Sequence, residues 1–328
     1  MLNLRSLAAA EQLRELDELA RAAAARFEIR GERRELLQYE NNAVYGLTDH
    51  TGARYALRLS SEDGYSVAEQ TSELAWLRSL CADGHPVPEP VSAPTGELVL
   101  EVGSARIEPR LCVVFRWLDG ELPSADISEQ TMAELGATAA RLHEARPPRM
   151  LSGGFTRPKL GWISAFGDGV GDVAVLKPYR GLLERLGQRL VGELGELEHE
   201  PARLLHGDLH RDNVLVRGAT VGFIDFEDCG WGHPLFDVAS LLDSFRRRVV
   251  SRADYPRARA AFLEAYRPTG SDRELTRHLC AFKAVRDAIT LRFIASSSNE
   301  SVQSWAEQRI AQLVRHIEGY MEGRPARV

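Results

Sequence analysis

The chain has 328 residues, 44% of them hydrophobic and 27% charged, with a net charge of −6 and a pI near 5.9. This is the composition of a globular protein with a large buried core. It gives no electrostatic case for nucleic acid or an anionic membrane, and it suits a cationic or neutral partner better than an anionic one. Four cysteines, Cys81, Cys112, Cys229 and Cys280, stand far apart with no paired spacing. Such usage points to a reducing compartment and away from a metal cluster. The first residues lack the apolar run of a signal peptide and no stretch is long enough to span a bilayer, so a cytoplasmic location is expected.

Residues 4–27 carry Leu13, Leu16, Leu19 and Ala20 at helical spacing. They predict an amphipathic helix packed on the segments that follow, with Gly31 at the turn after it. From Arg33 to Ser60 the pattern alternates, which predicts strands at 33–39, 43–48 and 54–59. Thr51-Gly52 supplies one hairpin turn. Glu40-Asn41-Asn42 supplies the other, where asparagines tolerate left-handed backbone and offer side-chain donors. Ser66 with Glu69 forms a capping-box pattern ahead of a helix striped by Leu74, Leu77 and Leu80 and closed near Gly84. The proline-rich 85–97 segment is a turn, too short for a domain linker. Strands are expected at 97–102 and 111–118.

Ser128 can cap a helix reaching about Ala145, with Met132, Leu135, Ala139 and Leu142 on one face. His143 at its end reads as a structural histidine beneath a loop. Residues 146–175 are rich in glycine and proline and read as a loop. The GDGVGD string at 167–172 is not a phosphate-binding P-loop, because no Gly-Lys-Ser/Thr follows. A second helix is expected at 176–198. Beyond Leu242 the helical pattern runs to the C-terminus, with breaks near 268–270 and 296–298, and its charges are mixed with many arginines.

The most informative stretch is 204–242, LLHGDLHRDNVLVRGATVGFIDFEDCGWGHPLFDVASLL. His206, Gly207 and Asp208 are followed five positions later by Asn213. Two short apolar runs, Val214 to Val216 and Val221 to Ile224, flank a glycine turn and end on Asp225. The order is strand, polar loop, hairpin, acid. Transfer of a nucleotide phosphoryl group to a hydroxyl needs a carboxylate to orient the acceptor and oxygen ligands to hold Mg2+ on the phosphates. Asp208 suits the first task, and Asn213 with Asp225 suits the second.

On these residues the chain resembles the aminoglycoside phosphotransferase and choline kinase superfamily, and within it the homoserine-kinase-type and stress-response-kinase-like branch. The resemblance departs from protein kinases at Gly207, where those enzymes have Arg, and at Glu227, where they have Gly. It implies an α+β, bilobal, protein-kinase-like fold. A small lobe (1–118) would carry a five-stranded antiparallel sheet and a helix C, and a larger, mainly helical lobe (119–328) would carry catalysis and acceptor binding.

The resemblance also implies roles. Asp208 would be the catalytic base, Asn213 and Asp225 the Mg2+ ligands, and the cofactor ATP, with GTP an alternative. His206 would order the loop, and Asp237 would be the buried acid that ties down its amides. Arg58, in the place of the usual lysine, would bind phosphates and pair with Glu73 of helix C. Asn41 and Asn42 would stand at the hairpin over the phosphates. Backbone groups of Val114, Phe115, Arg116 and Trp117 would read the adenine. Glu227 and Asp228, and Arg286 and Asp287 on a helix at 272–295, are candidates for the acceptor pocket. The implied reaction is phosphoryl transfer to a small-molecule hydroxyl (homoserine, choline, ethanolamine, aminoglycoside or sugar type), with no nucleic acid or membrane partner. Two alternatives stay open: a protein Ser/Thr kinase, and a nucleotide-binding regulator without turnover. The sequence says nothing of oligomeric state.

Overall fold

The computed structural model describes residues 3–31, 33–104, 106–124, 127–148, 154–160, 173–248, 254–268, 270–297 and 299–324. The GDGVGD string at 167–172 lies outside them. The chain forms two compact units. One comprises 1–118 with the short segments 147–156 and 298–301; the other comprises 119–146, 157–297 and 302–328.

The N-terminal unit is a sheet with two helices. A 3-10 turn at Leu4–Ser6 precedes α1 (Ala9–Arg26), and β1 (Arg33–Tyr39), β2 (Ala43–Thr48) and β3 (Arg54–Leu59) follow. These strands occupy the positions that the alternating pattern predicts. Leu16, Leu19 and Ala20 of α1 are buried against the sheet with Leu47, Leu57 and Leu59, whereas Leu13 stays 44% exposed. Full burial of one such leucine is worth about 2 kcal/mol, so this stripe is what attaches α1 to the sheet. Helix α2 (Val67–Ala82) starts in the expected capping box, in which Ser66 Oγ accepts from Glu69 N and Glu69 accepts from Ser66 N.

The sheet departs from expectation by one strand. Inside the proline-rich turn, β4 (Pro90–Val91) pairs with Phe115 and Val114 of β6 (Arg110–Arg116). With β5 (Leu100–Val102) this gives six antiparallel strands, ordered β1-β2-β3-β6-β4 with β5 also on β6. Two residues are too short for any alternation to register, and proline is compatible with an edge position.

The C-terminal unit is mainly helical. Helix α3 (Glu129–Glu144) is capped by Ser128, which accepts from Thr131 N, and it buries Met132, Leu135, Ala139 and Leu142. The expected 176–198 helix is divided into a 3-10 segment (Ala174–Tyr179), α4 (Arg180–Leu194) and a second 3-10 segment (Gly195–His199). Then come β7 (Arg203–Leu205), the hairpin of β8 (Val214–Arg217) and β9 (Thr220–Phe223), and β10 (Gly230–Gly232), which returns to pair with β7. Helices α5 (Leu235–Arg248), α6 (Tyr255–Tyr266), α7 (Asp272–Ser296) and α8 (Glu300–Met321) complete the unit, with α3 packed along α6 and α5 on α7. No helix among the described residues is long and apolar enough to cross a membrane.

Candidate active site

The polar loop between β7 and β8 is held from below by one buried acid. Asp237 lies in the first turn of α5, where a helix N-terminus favours negative charge. Its Oδ2 accepts from His206 N at 2.8 Å and its Oδ1 from Gly207 N at 3.0 Å. His143, from the end of α3, approaches Asp237 Oδ2 through Nε2 at 3.1 Å and Tyr266 Oη through Nδ1 at 2.8 Å. Both residues are buried, and His143 has the structural position that its sequence context suggests.

His206 is fully buried, and its partners define its tautomer. Nε2 faces the carbonyl of Ile224 at 2.8 Å, which can only accept. Nδ1 faces the amide of Asp208 at 3.3 Å, which can only donate. The ring is therefore a neutral Nε2–H imidazole bridging the loop to the end of the hairpin. Burial, which outweighs the nearby carboxylates, also lowers its pKa.

Gly207 explains the first departure from protein kinases. Its φ of +84° is left-handed, and a Cβ there would lie 2.0 Å from the Asp228 carbonyl oxygen. No side chain fits, so the arginine that protein kinases carry is excluded by backbone geometry.

Asp208 is engaged on both oxygens. Arg286 of α7 donates from one terminal nitrogen to Oδ1 and from the other to the Gly207 carbonyl at 3.1 Å. His210 Nε2 stands 3.5 Å from Oδ2 while its Nδ1 accepts from Asp212 N. Burial by itself would raise the Asp208 pKa, but Arg286 and then His210 outweigh it and hold the carboxyl well below the usual carboxylate range. Asp208 is thus ionised and only weakly basic.

Asn213 donates from Nδ2 to the Asp208 carbonyl at 2.9 Å, and its backbone carbonyl accepts from Ile224 N at 3.0 Å. The first bond turns the amide so that Oδ1 is its remaining acceptor; the second brings the end of β9 against it. Asp225 comes next, exposed, with a φ of +65°. A left-handed backbone at a β-carbon-bearing residue costs about 1–3 kcal/mol and persists where the surroundings impose it. Asn213 and Asp225 present hard oxygen donors that fit Mg2+, which takes few protein ligands and completes its shell with phosphate and water.

The other candidates sort unevenly. The Glu227 and Cys229 carbonyls are clamped by Arg157, the latter at 2.6 Å from Nε, while the Asp228 side chain is exposed. Asp287 is buried and bonded to Lys283 of its own helix. Arg286 and Asp287 both line a cavity of about 460 Å3 in this unit, and Arg286 reaches Asp208 from it. His210 was not singled out from the sequence, although its position two residues after Asp208 was a usable signal.

In the N-terminal unit, Arg58 is buried on β3 and donates to both Glu73 oxygens, at 2.9 and 2.7 Å. It is therefore not a surface salt-bridge residue. Such a planar fork is a geometry that lysine cannot supply. Asn41 is exposed, and Asn42 Oδ1 accepts from Ser61 N at 2.9 Å. Neither is left-handed, since the described non-glycine residues with positive φ are Glu28, Asp225 and Arg267. The turn does not draw on the left-handed tolerance of asparagine; the Asn42 side chain instead ties the hairpin to Ser61, just past the end of β3. Val114, Phe115 and Arg116 lie within β6. The amide of Arg116 bonds Glu89 O at 2.8 Å and that of Trp117 bonds Arg54 O at 3.0 Å, so those two donors serve the sheet.

A profile of the phosphotransferase enzyme family matches residues 32–278. The chain belongs to the phosphotransferase enzyme family. A homoserine kinase of Methylobacillus flagellatus is 28% identical over 232 residues, 69% of this chain. The matched region spans 66% of that relative's length. Among solved structures, a microcompartment-associated aminopropanol kinase superposes with a TM-score of 0.76 at 23% identity, covering 94% of this chain and 98% of the other. An amicoumacin kinase in complex with AMP-PNP and Ca2+ superposes with a TM-score of 0.72 at 19% identity, covering 93% of each chain. These likenesses show that the phosphotransferase chain has a mixed kinase-like fold.

Proposed function

We propose that the protein transfers the γ-phosphoryl group of ATP, or of GTP in its place, to a hydroxyl of a small molecule. The observation that carries this reading is the placement of Asp208, held by Arg286 and approached by His210 on a loop whose Asn213 presents an amide oxygen. The family membership and the homoserine and aminopropanol kinases among its relatives support an acceptor of that size.

In the reaction, the acceptor oxygen forms a bond to Pγ while the bond from Pγ to the bridging oxygen breaks, releasing ADP. Asp208 accepts a hydrogen bond from the attacking hydroxyl and so orients it. Its low basicity means that it takes the proton late, when bonding to phosphorus has made the hydroxyl acidic. Asn213 and Asp225 would hold Mg2+, which supplies positive charge to the phosphate oxygens. Arg58, oriented by Glu73, would add cationic charge at the nucleotide phosphates. No covalent enzyme intermediate is needed, and the gain comes from positioning and preorganised charge.

Two other readings weigh less. A regulator without turnover draws on Arg58, since both of its terminal nitrogens are engaged by Glu73. A protein-kinase reading lacks a peptide platform, because residues 226–236 hold only a short turn, β10 and the start of α5.

Purified protein with Mg2+-ATP, screened for ADP formation over hydroxyl acceptors, tests the proposal. A turnover dependent on one acceptor should fall by about a thousandfold or more in Asp208→Asn, within the range that positioned acid–base groups and charge contribute. Nucleotide binding without turnover on any acceptor would favour the regulator. Full activity in Asp208→Asn would remove the assigned role.

A further inference from the structure

The negative charge of the whole chain suits a cationic or neutral acceptor, yet the wall of the cavity reached by Arg286 and His210 is of the opposite sign. Six of its lining side chains are Arg or Lys, against three Asp. The cavity lies among α5, α7, α8 and the 210–212 turn, all in the C-terminal unit.

The two buried acids in that wall are already answered from within. Lys283 bonds Asp287 through Nζ and stands 4.0 Å from Asp243. Arg246 and Arg247 reach Asp243 at 2.8 and 3.1 Å. An ammonium group entering the cavity would find the place between Asp243 and Asp287 filled by the protein's own.

Arg309 of α8 is the opposite case. Among the described residues its guanidinium donates only to Gln312, at 2.7 Å from one terminal nitrogen, and has no carboxylate within 4 Å. Burial, and next the charge of Arg247, weigh against its positive form, with Asp287 and Asp243 offsetting part. Arg247 itself uses Nε for its bonds to Asp243, which leaves its terminal nitrogens as donors. Partly desolvated positive charge without a counter-ion is costly, and an anion relieves it where a cation or a neutral group does not.

We infer that the phosphoryl acceptor is a small hydroxy compound with a terminal anionic group, carboxylate or phosphate, bound by Arg309 with Arg247 beside it. This deepens the phosphotransferase reading and rests on it. Amino alcohols and polycationic aminoglycosides would face the same wall with like charge. Fork geometry suits Arg309 to either anion, since both present two oxygens to a guanidinium.

Matched acceptors test the inference: 4-hydroxybutyrate, 1,4-butanediol and 4-amino-1-butanol for carboxylate, and glycerol 3-phosphate beside glycerol for phosphate. ADP formation with Mg2+-ATP gives kcat and KM, and calorimetry gives binding independent of turnover. The anionic member of a set should exceed its neutral and cationic partners by about tenfold or more in kcat/KM, the size of one charge-assisted bond. Arg309→Met should erase that preference mainly through KM, while Arg309→Lys retains part of it, and Mg2+-ATP binding by both variants reports an intact fold. Which set shows the effect distinguishes carboxylate from phosphate. Equal use of all members, or preference for 4-amino-1-butanol, overturns the inference and leaves phosphoryl transfer standing. If nothing turns over, Arg309-dependent binding of the anionic member upholds the anion site and removes the phosphotransferase reading. Binding without that preference removes the site too.

Discussion

Arg286 reaches the Asp208 carboxylate from a helix 78 residues further along the chain, and that contact sets the chemistry of the loop. Because the folded pKa of Asp208 is depressed, its ionised form survives to pH values below the ordinary carboxylate range. The associated stability is therefore present above the unfolded value of about 4 and lost as pH falls through the folded one. Replacing Arg286 with Gln removes the charge but keeps a donor, so the largest influence opposing burial is lost while those of His210 and His206 remain. The acid limb of kcat/KM should then move upward by about one pH unit or more. A pH–rate profile of Arg286→Gln checks this, and an unmoved acid limb would show that Arg286 does not govern Asp208. The sequence named Arg286 as a candidate for the acceptor pocket on a 25-residue helix, not as the partner of Asp208. Nothing in its spacing says which face meets the loop, because that depends on how α7 packs on α5.

At the scale of elements, Asp237 joins α5 to the loop, and through His143 to α3. Its two oxygens take two amides of consecutive residues, a geometry that a neutral amide cannot copy. In Asp237→Asn one of the two backbone N–H groups would meet an NH2 instead of an oxygen. A buried donor left unsatisfied and a lost charge-assisted bond together cost roughly 2–4 kcal/mol. His143→Ala keeps both amide bonds and should cost less. Urea unfolding of the two variants ranks them, and a smaller loss for Asp237→Asn than for His143→Ala would contradict the arrangement. Asp237 was singled out through the family resemblance, and the contacts of its carboxylate with the His206 and Gly207 amides are a feature of the folded loop. Strands β1 to β3 were legible in the sequence itself: burial alternates along β2 and the first part of β1, and β3 is paired on both sides. By contrast, β10 is Gly-Trp-Gly and β4 is Pro-Val, strands without a local pattern. They exist because β7 and β6 offer them an edge, and such pairing is a property of the folded chain.

At the scale of the whole molecule, each compact unit holds two of the four thiols: Cys81 and Cys112 in the N-terminal one, Cys229 and Cys280 in the C-terminal one. Three are buried and Cys81 is partly covered. Burial, followed by the charge of Glu89, raises the Cys81 thiol to about 11, and burial raises Cys112 to about 12. At pH 8 a thiol of pKa 11 is ionised in about one molecule in a thousand, and the thiolate is the reacting species. The native protein should therefore react with a thiol reagent far more slowly than a free cysteine, and release four equivalents once unfolded. A compact unit with its own core opens cooperatively, so the two thiols within one unit should become reactive over the same range of urea. Pulse labelling at graded urea, with the modified cysteines located by mass spectrometry, measures this directly. Cys81 and Cys112 labelling together, whatever the order relative to Cys229 and Cys280, is the expected result. Labelling of Cys112 at a urea concentration where Cys81 is still protected would break the N-terminal unit into smaller pieces, because Cys112 sits at the centre of its sheet and Cys81 at the end of its helix.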